Sequence, residues 1–187
     1  MAAFLNSMKK MFPRLYRLYA YILVRNKNKR VLRFDSSSFI DSHSSFEGAN
    51  RVLSNCHFVG SMGYGSYLGQ NSNVEAIIGR FTSIAPNLQI NKGIHPYKAP
   101  FATTCPLFYS DAAHYWKSFA ERMMFTETRP LTHIGSDVWI GQNVFMAGGL
   151  DIGDGAVILA GAVVTKSTPP LCYSRGRSSQ DFRLPIR

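Results

Sequence analysis

From Ile134 to Lys166 the chain repeats with a period of six: IGSDVW, IGQNVF, MAGGLD, IGDGAV, ILAGAV, VTK. An aliphatic residue opens each unit (Ile134, Ile140, Met146, Ile152, Ile158, Val164), and a small one usually follows it (Gly135, Gly141, Ala147, Gly153). The fifth place holds a second apolar or small residue: Val138, Val144, Leu150, Ala156, Ala162. Neither the helical period nor strand alternation fits this spacing. Short strands joined by tight turns do fit, with each hexapeptide forming one side of a triangular coil. The aliphatic side chain then points inward and the small residue beside it is expected to let the backbone turn the corner. Stacked coils pair as parallel strands about 4.8 Å apart around an aliphatic column. The expected architecture is an all-β solenoid.

An earlier block keeps the period raggedly. Ile40, Phe46, Val52 and Phe58 lie six apart, then come Leu68 and Val74, then Ile78, Ile84 and Ile90, with two slips between the runs. Residues 91–133 lack the repeat altogether. A loop that long inside a compact domain is usually functional or disordered. Its aromatic content (Tyr97, Phe101, Phe108, Tyr109, Tyr115, Trp116, Phe119, Phe125) favours an ordered excursion. Asp111 to Phe125 is its most helix-like part, with Asp111 as the N-cap.

The segments IGSDVWIGQNV, IGDGAVILAGAVVTK and IGRFTSIAPNLQI, with a His-Pro ahead of the long loop, resemble the hexapeptide-repeat acyltransferases, and within them the xenobiotic, sugar and polysaccharide O-acetyltransferases. The resemblance spans about residues 40–170. It implies a left-handed parallel β-helix, an exception to the right-handed crossover rule. It also implies a homotrimer with acetyl-CoA between adjacent subunits. By the same resemblance His95 takes the place of the catalytic histidine and Asn87 that of an acceptor contact; Tyr97 and Trp116, aromatics of the long loop, are expected to bind the acceptor as well. Trp139, Gln142, Ala160, Gly161, Thr165 and Lys166 match positions along the CoA channel. Tyr173 to Gln180 departs from the family pattern, although Arg175 and Arg177 could meet phosphates.

The chemistry asked of His95 is modest. A sugar hydroxyl needs a base to attack a thioester, and histidine, titrating near pH 6.5, can take that proton and return it to the leaving thiol. No acyl-enzyme and no metal is required. Zinc chemistry of the carbonic anhydrase kind needs two close histidines on one coil, whereas His43, His57, His95, His114 and His133 are widely spaced. His114 is read as structural, and His43, His57 and His133 as corner or surface residues. Cys56, Cys105 and Cys172 are scattered, with no C-x-x-C, and read as small hydrophobes.

The net charge of +10 calls for an anionic partner, and nine Lys or Arg residues precede the first acid, Asp35. Leu15, Leu18, Tyr19, Ile22 and Leu23 fall at helical spacing in this basic arm, with arginines on the other face. The favoured reading packs that helix on its own domain with a solvated basic face; the rival lays it on anionic lipid. The apolar run Leu18–Val24 is too short to span a bilayer, and no signal-peptide cleavage pattern follows it. The expected organisation is a helical arm over 1–35, a β-helix over 36–170 with its excursion at 91–133, and a tail over 171–187. The expected activity is cytoplasmic O-acetylation of a carbohydrate, with a cell-surface polysaccharide or its precursor as leading acceptor and no nucleic acid partner. N-acetylation of a nucleotide-linked amino sugar and a non-catalytic solenoid binding module are the alternatives.

Overall fold

The computed structural model describes residues 11–111 and 116–174, together with the backbone of 182–183. The described residues up to Asn91 and from Leu131 form one unit, and Lys92–Pro130 forms a second.

The first unit is a parallel β-helix whose short strands stack on three faces. On the first face β1 (Leu32–Arg33), β4 (Asn50–Val52), β6 (Tyr67–Leu68), β8 (Ser83–Ile84), β11 (Trp139–Ile140), β14 (Val157–Ile158) and β16 (Tyr173–Ser174) follow one another. The second face runs through β2 (Phe39–Ile40), the start of β5 (His57–Met62), the start of β7 (Asn73–Ile78), β9 (Gln89–Asn91), β12 (Phe145–Ala147) and β15 (Val163–Val164). The third takes β3 (Ser45–Phe46), the ends of β5 and β7, β10 (Thr132–Ile134) and β13 (Asp151–Ile152). The ladder therefore begins at Leu32 and reaches Ser174, a little beyond 36–170 on both sides.

The hexapeptide aliphatics are the core: Ile84, Ile140 and Ile158 have no exposed surface, and Ile134 and Ile152 have 2%. Each such side chain contributes roughly 1.5–3 kcal/mol by leaving water, and the column repeats that gain at every coil. Fifth-place residues join it, with Val138, Val144, Ala156 and Ala162 at 1% or less.

Two features differ from expectation. The glycine after the aliphatic residue does not turn the corner. The left-handed residue lies three places after the aliphatic, at Asp137 (φ 55°), Asn143 (φ 59°), Gly155 (φ 66°) and Gly161 (φ 71°). Gly141 is small for another reason: a Cβ there would lie 2.5 Å from the Ala160 nitrogen in the next coil. Close stacking of backbones, not backbone freedom, excludes a side chain.

The slips in the earlier block come from β5 and β7, which run straight through the corner between the second and third faces. Met62 follows Phe58 after four residues and is 1% exposed, as Ile78 follows Val74. Coils cut this way are shorter: His57 pairs with Asn73, sixteen residues on, whereas Phe39 pairs with His57, eighteen on. Gly60 makes the shortcut possible, since a Cβ there would meet the Ala76 carbonyl oxygen at 1.9 Å.

Helix α1 (Pro13–Lys27) starts on a proline, whose missing N–H costs nothing in the first turn, and ends with Arg25 and Lys27 at the negative pole of its dipole. It packs on the coils, but through the face opposite to that expected. Ala20 and Val24 are buried, Tyr16 lies 6.3 Å from Phe39 and Tyr21 5.2 Å from Phe34. Leu15, Leu18, Ile22 and Leu23 remain 41–57% exposed. The helix thus carries two apolar faces, and small residues on the inner one allow close approach to the coils. No helix among the described residues is long and apolar enough to cross a membrane.

Candidate active site

The second unit is closed at its base. Gly93 bridges Thr128 in antiparallel fashion, the Ile94 N–H donates to the Glu127 carbonyl (2.9 Å) and the Arg129 N–H to the Lys92 carbonyl (2.9 Å). His95 follows directly on this ladder, and Pro96 keeps it out of the helical conformation. The 3₁₀ turn η1 (Pro106–Phe108) then presents Tyr109, which is 1% exposed. Three aromatic rings meet edge to face: Phe101 with Tyr109 (6.1 Å), Tyr109 with Phe125 (5.7 Å) and Phe101 with Phe125 (5.6 Å). Such pairs add about 0.5–1.5 kcal/mol each beyond area burial.

The His95 Nδ1 lies 2.7 Å from the Tyr109 hydroxyl, with the two rings at 73°. His95 as a residue is exposed, and among the described residues its Nε2 makes no hydrogen bond. A histidine anchored through one nitrogen and presented through the other is the geometry a general base requires. Tyr109 is not among the site residues read from the sequence, where it figures only as one aromatic among eight; its one signal is its place in that aromatic run.

The described part of Asp111–Phe125 is not helical. Its backbone is used for return contacts to the turn around η1, with the Phe119 N–H donating to the Leu107 carbonyl (2.8 Å) and the Met124 N–H to the Tyr109 carbonyl (2.8 Å). Those bonds replace the i to i−4 ladder. Tyr97 and Trp116 project from this unit with 77% and 96% of their surface exposed, and the Lys98 ammonium lies 5.3 Å from the Tyr97 ring centroid.

The residues expected on the cofactor side belong to the solenoid and fall into two groups. Gln142, Ala160 and Gly161 meet at one corner of successive coils, where the Gly161 N–H donates to the Gln142 carbonyl (2.8 Å), and Trp139 stands on the adjoining face, 46% exposed. Thr165 and Lys166 are exposed at the following corner, after β15. Gly161 differs from the stacked glycines, because a Cβ there would meet nothing within 4 Å. Asn143 fills the same left-handed place one coil earlier, so Gly161 leaves bare backbone where a side chain could have stood. Arg175 and Arg177 lie outside the described residues, as does His114.

Asn87 occupies a left-handed corner (φ 66°), and its amide donates to the Asn143 side-chain oxygen at 2.7 Å. Asn55 and Asn71 form a similar pair (3.3 Å) earlier on the same edge. The structure thus gives Asn87 a place in an asparagine stack along the corner.

Of the other histidines, His43 sits exposed beside Asp41 (3.1 Å), His57 stacks on Phe39 (5.2 Å) and His133 faces solvent from the third face. No group of three or more metal-ligating side chains exists among the described residues. Cys56 and Cys172 are buried, and desolvation pushes the Cys56 thiol above its ordinary pKa, the opposite of an activated nucleophile.

Comparison with known proteins shows the family and the fold. The family described as bacterial transferase hexapeptide (six repeats) matches residues 131–166. A chloramphenicol acetyltransferase of Morganella morganii is 32% identical over 161 residues, covering 86% of this chain and 69% of that protein. A probable macrolide acetyltransferase of Lysinibacillus sphaericus is 33% identical over 104 residues, covering 56% of this chain and 57% of that protein. Among solved structures, a point mutant of AntD, an N-acyltransferase from Bacillus cereus in complex with dTDP-4-amino-4,6-dideoxyglucose and Coenzyme A, aligns with a TM-score of 0.57 at 14% identity. That alignment covers 90% of this chain and 91% of AntD, a likeness of fold.

Proposed function

The chain belongs to the hexapeptide-repeat acyltransferases, and on that premise we propose that it transfers acetyl from acetyl-CoA directly to a carbohydrate hydroxyl, with His95 as general base. The observation that carries this reading is His95, an exposed residue whose ring is held at Nδ1 by Tyr109 and makes no hydrogen bond at Nε2 among the described residues. Nε2 takes the hydroxyl proton as the oxygen attacks the thioester carbon. The tetrahedral intermediate then expels the thiolate, which recovers that proton from Nε2. A C–O bond replaces a C–S bond and no charge is left on the protein. Holding the two substrates together accounts for much of the remaining acceleration.

On the cofactor side, the bare backbone at Gly161 and the neighbouring Ala160 suit close approach of a pantetheine arm, with Gln142 and Trp139 alongside. Thr165 and Lys166 suit the phosphates, and Arg175 and Arg177 would extend that contact. The exposed rings of Tyr97 and Trp116 suit an acceptor platform, and Asn87 would reach the acceptor only in addition to its bond to Asn143. We propose a homotrimer, in which the second substrate's site is completed by a neighbouring chain. A cytoplasmic location accords with three unpaired cysteines. The exposed Leu15, Leu18, Ile22 and Leu23, flanked by Arg14 and Arg25, support a peripheral contact of α1 with anionic lipid.

The test is acetyl-CoA turnover followed by mass spectrometry against acidic and neutral glycans, with chloramphenicol, a macrolide and an amino-sugar nucleotide in the same screen. Acetylation of a glycan hydroxyl bears the reading out. Modification of the amine alone would replace it with N-acetylation, and CoA binding without turnover of any acceptor would make the chain a binding module. Light scattering checks the trimer, and sedimentation with anionic against neutral vesicles checks the helix.

A further inference from the structure

The bond between His95 and Tyr109 has a direction, and the direction decides whether His95 can act. A neutral imidazole carries its proton on one nitrogen only. If the Tyr109 hydroxyl donates to Nδ1, the proton resides on Nε2, and that second nitrogen has no lone pair with which to take a substrate proton. If Nδ1–H donates to the hydroxyl, Nε2 is the free base. The 2.7 Å contact accommodates either arrangement, and only the second is compatible with base catalysis.

We propose that Tyr109 is the positioning residue of the reaction: its hydroxyl oxygen accepts the Nδ1 proton of His95 and so fixes the tautomer in which Nε2 is unprotonated. The inference rests on the reading of His95 as the base. When Nε2 takes the hydroxyl proton, the imidazolium keeps its Nδ1–H on the tyrosine oxygen; when Nε2 releases the proton to the thiolate, the starting tautomer returns. Tyr109 neither gains nor loses a proton over the cycle.

The surroundings of Tyr109 fit a fixed acceptor. Its ring is clamped edge to face by Phe101 and Phe125, its N–H closes the η1 turn on the Pro106 carbonyl (3.2 Å), and its carbonyl receives the Met124 N–H (2.8 Å). The neighbouring Ser110 hydroxyl reaches Glu127 at 3.2 Å, and the Glu127 carbonyl receives the N–H of Ile94, the residue before His95. One chain of contacts therefore ties the tyrosine to the backbone that carries the histidine. Packing alone would be met by phenylalanine, as at Phe101 and Phe125; the hydroxyl is the added part, and it meets His95.

Tyr109→Phe keeps the ring and removes the oxygen. In the full-length wild-type protein, ¹⁵N spectra of the imidazoles should show His95 with its proton on Nδ1, and Tyr109→Phe should shift it toward Nε2. Turnover should fall by about 10-fold or more, within the roughly 10² to 10⁴ that a positioned base supplies, with KM for acetyl-CoA unchanged and the acid limb of the pH profile displaced. His95→Ala separates the two readings. If His95→Ala abolishes turnover while Tyr109→Phe leaves turnover, pH profile and tautomer as in wild type, the positioning role is overturned and the base stands. If His95→Ala leaves turnover intact, both fall. Should Tyr109→Phe lower the melting temperature, the tautomer measured on the folded protein well below the melt still decides.

Discussion

The solenoid and the excursion use side chains in opposite ways. In the coils a residue matters through its row: Ile84, Ile140 and Ile158 are one requirement stated three times, and each coil touches only its neighbours. In Lys92–Pro130 residues matter singly. One tyrosine hydroxyl meets one imidazole, and two phenylalanine rings, Phe101 and Phe125, brace the tyrosine. Redundancy confers stability on the first region, whereas the second depends on single contacts, and the proposed chemistry is assigned to one of them.

Substitutions should separate the two regions. The largest effect belongs to His95→Ala, which should lower turnover by about 10² to 10⁴ with the melting temperature unchanged; a matching loss of stability would mean that the exposed imidazole is part of the packing after all. Ile140→Ala should do the reverse, costing about 2–5 kcal/mol of stability in chemical denaturation while turnover per folded molecule is preserved. A smaller contrast tests the corners. Asn143→Ala should cost about 1–3 kcal/mol through a left-handed alanine and the lost partner of Asn87, whereas Asn143→Gly should recover most of the conformational part. Equal losses for the two variants would show that the asparagine bond, not φ, governs that position.

The smallest effect concerns the first coil, just after β1. Hydrogen bonds from Ser37 and then Ser54 hold the Asp35 carboxyl below its ordinary pKa of 3.8. A depressed carboxylate stabilises the fold at pH values above the unfolded pKa, and the contribution fades as pH falls from 3.8 toward the folded value. Thermal melts of wild type and Asp35→Asn should differ slightly at neutral pH and converge in acid; a gap that widens on acidification would reverse the sign.

How far the sequence could be read followed the same division. The C-terminal coils were legible because their fifth places are apolar, as at Val138, Val144 and Ala156, and nearly every position obeys the period. The earlier coils bury Ser66, Ser72 and Thr82 in the same place, where their hydroxyls bond the carbonyls of Gly79, Gly69 and Gly135. A polar residue in a core row hides the row. The shortcut through β5 concealed Met62 as an inward residue, because a four-residue step resembles a break in the pattern. Helix α1 was found, but its packing face was not: the large aliphatics point out, and the inner face is held by small residues and tyrosine edges. In the excursion no period exists to be read. Family likeness pointed to His95, whereas Tyr109 acquires meaning only when chain segments fourteen residues apart come together.

The point where the excursion departs has a consequence for how such proteins diversify. The chain leaves after Asn91 and re-enters at Leu131, yet Ile134 lies in register on Ile78, and Met146 on Ile90, as if nothing intervened. The strand ladder therefore sets no limit on the length or content of what is inserted there. A cassette bounded by 92 and 130 could be exchanged, lengthened or transplanted while every coil keeps its neighbours. The inserted unit would then vary as an interchangeable part carried on a frame that does not change.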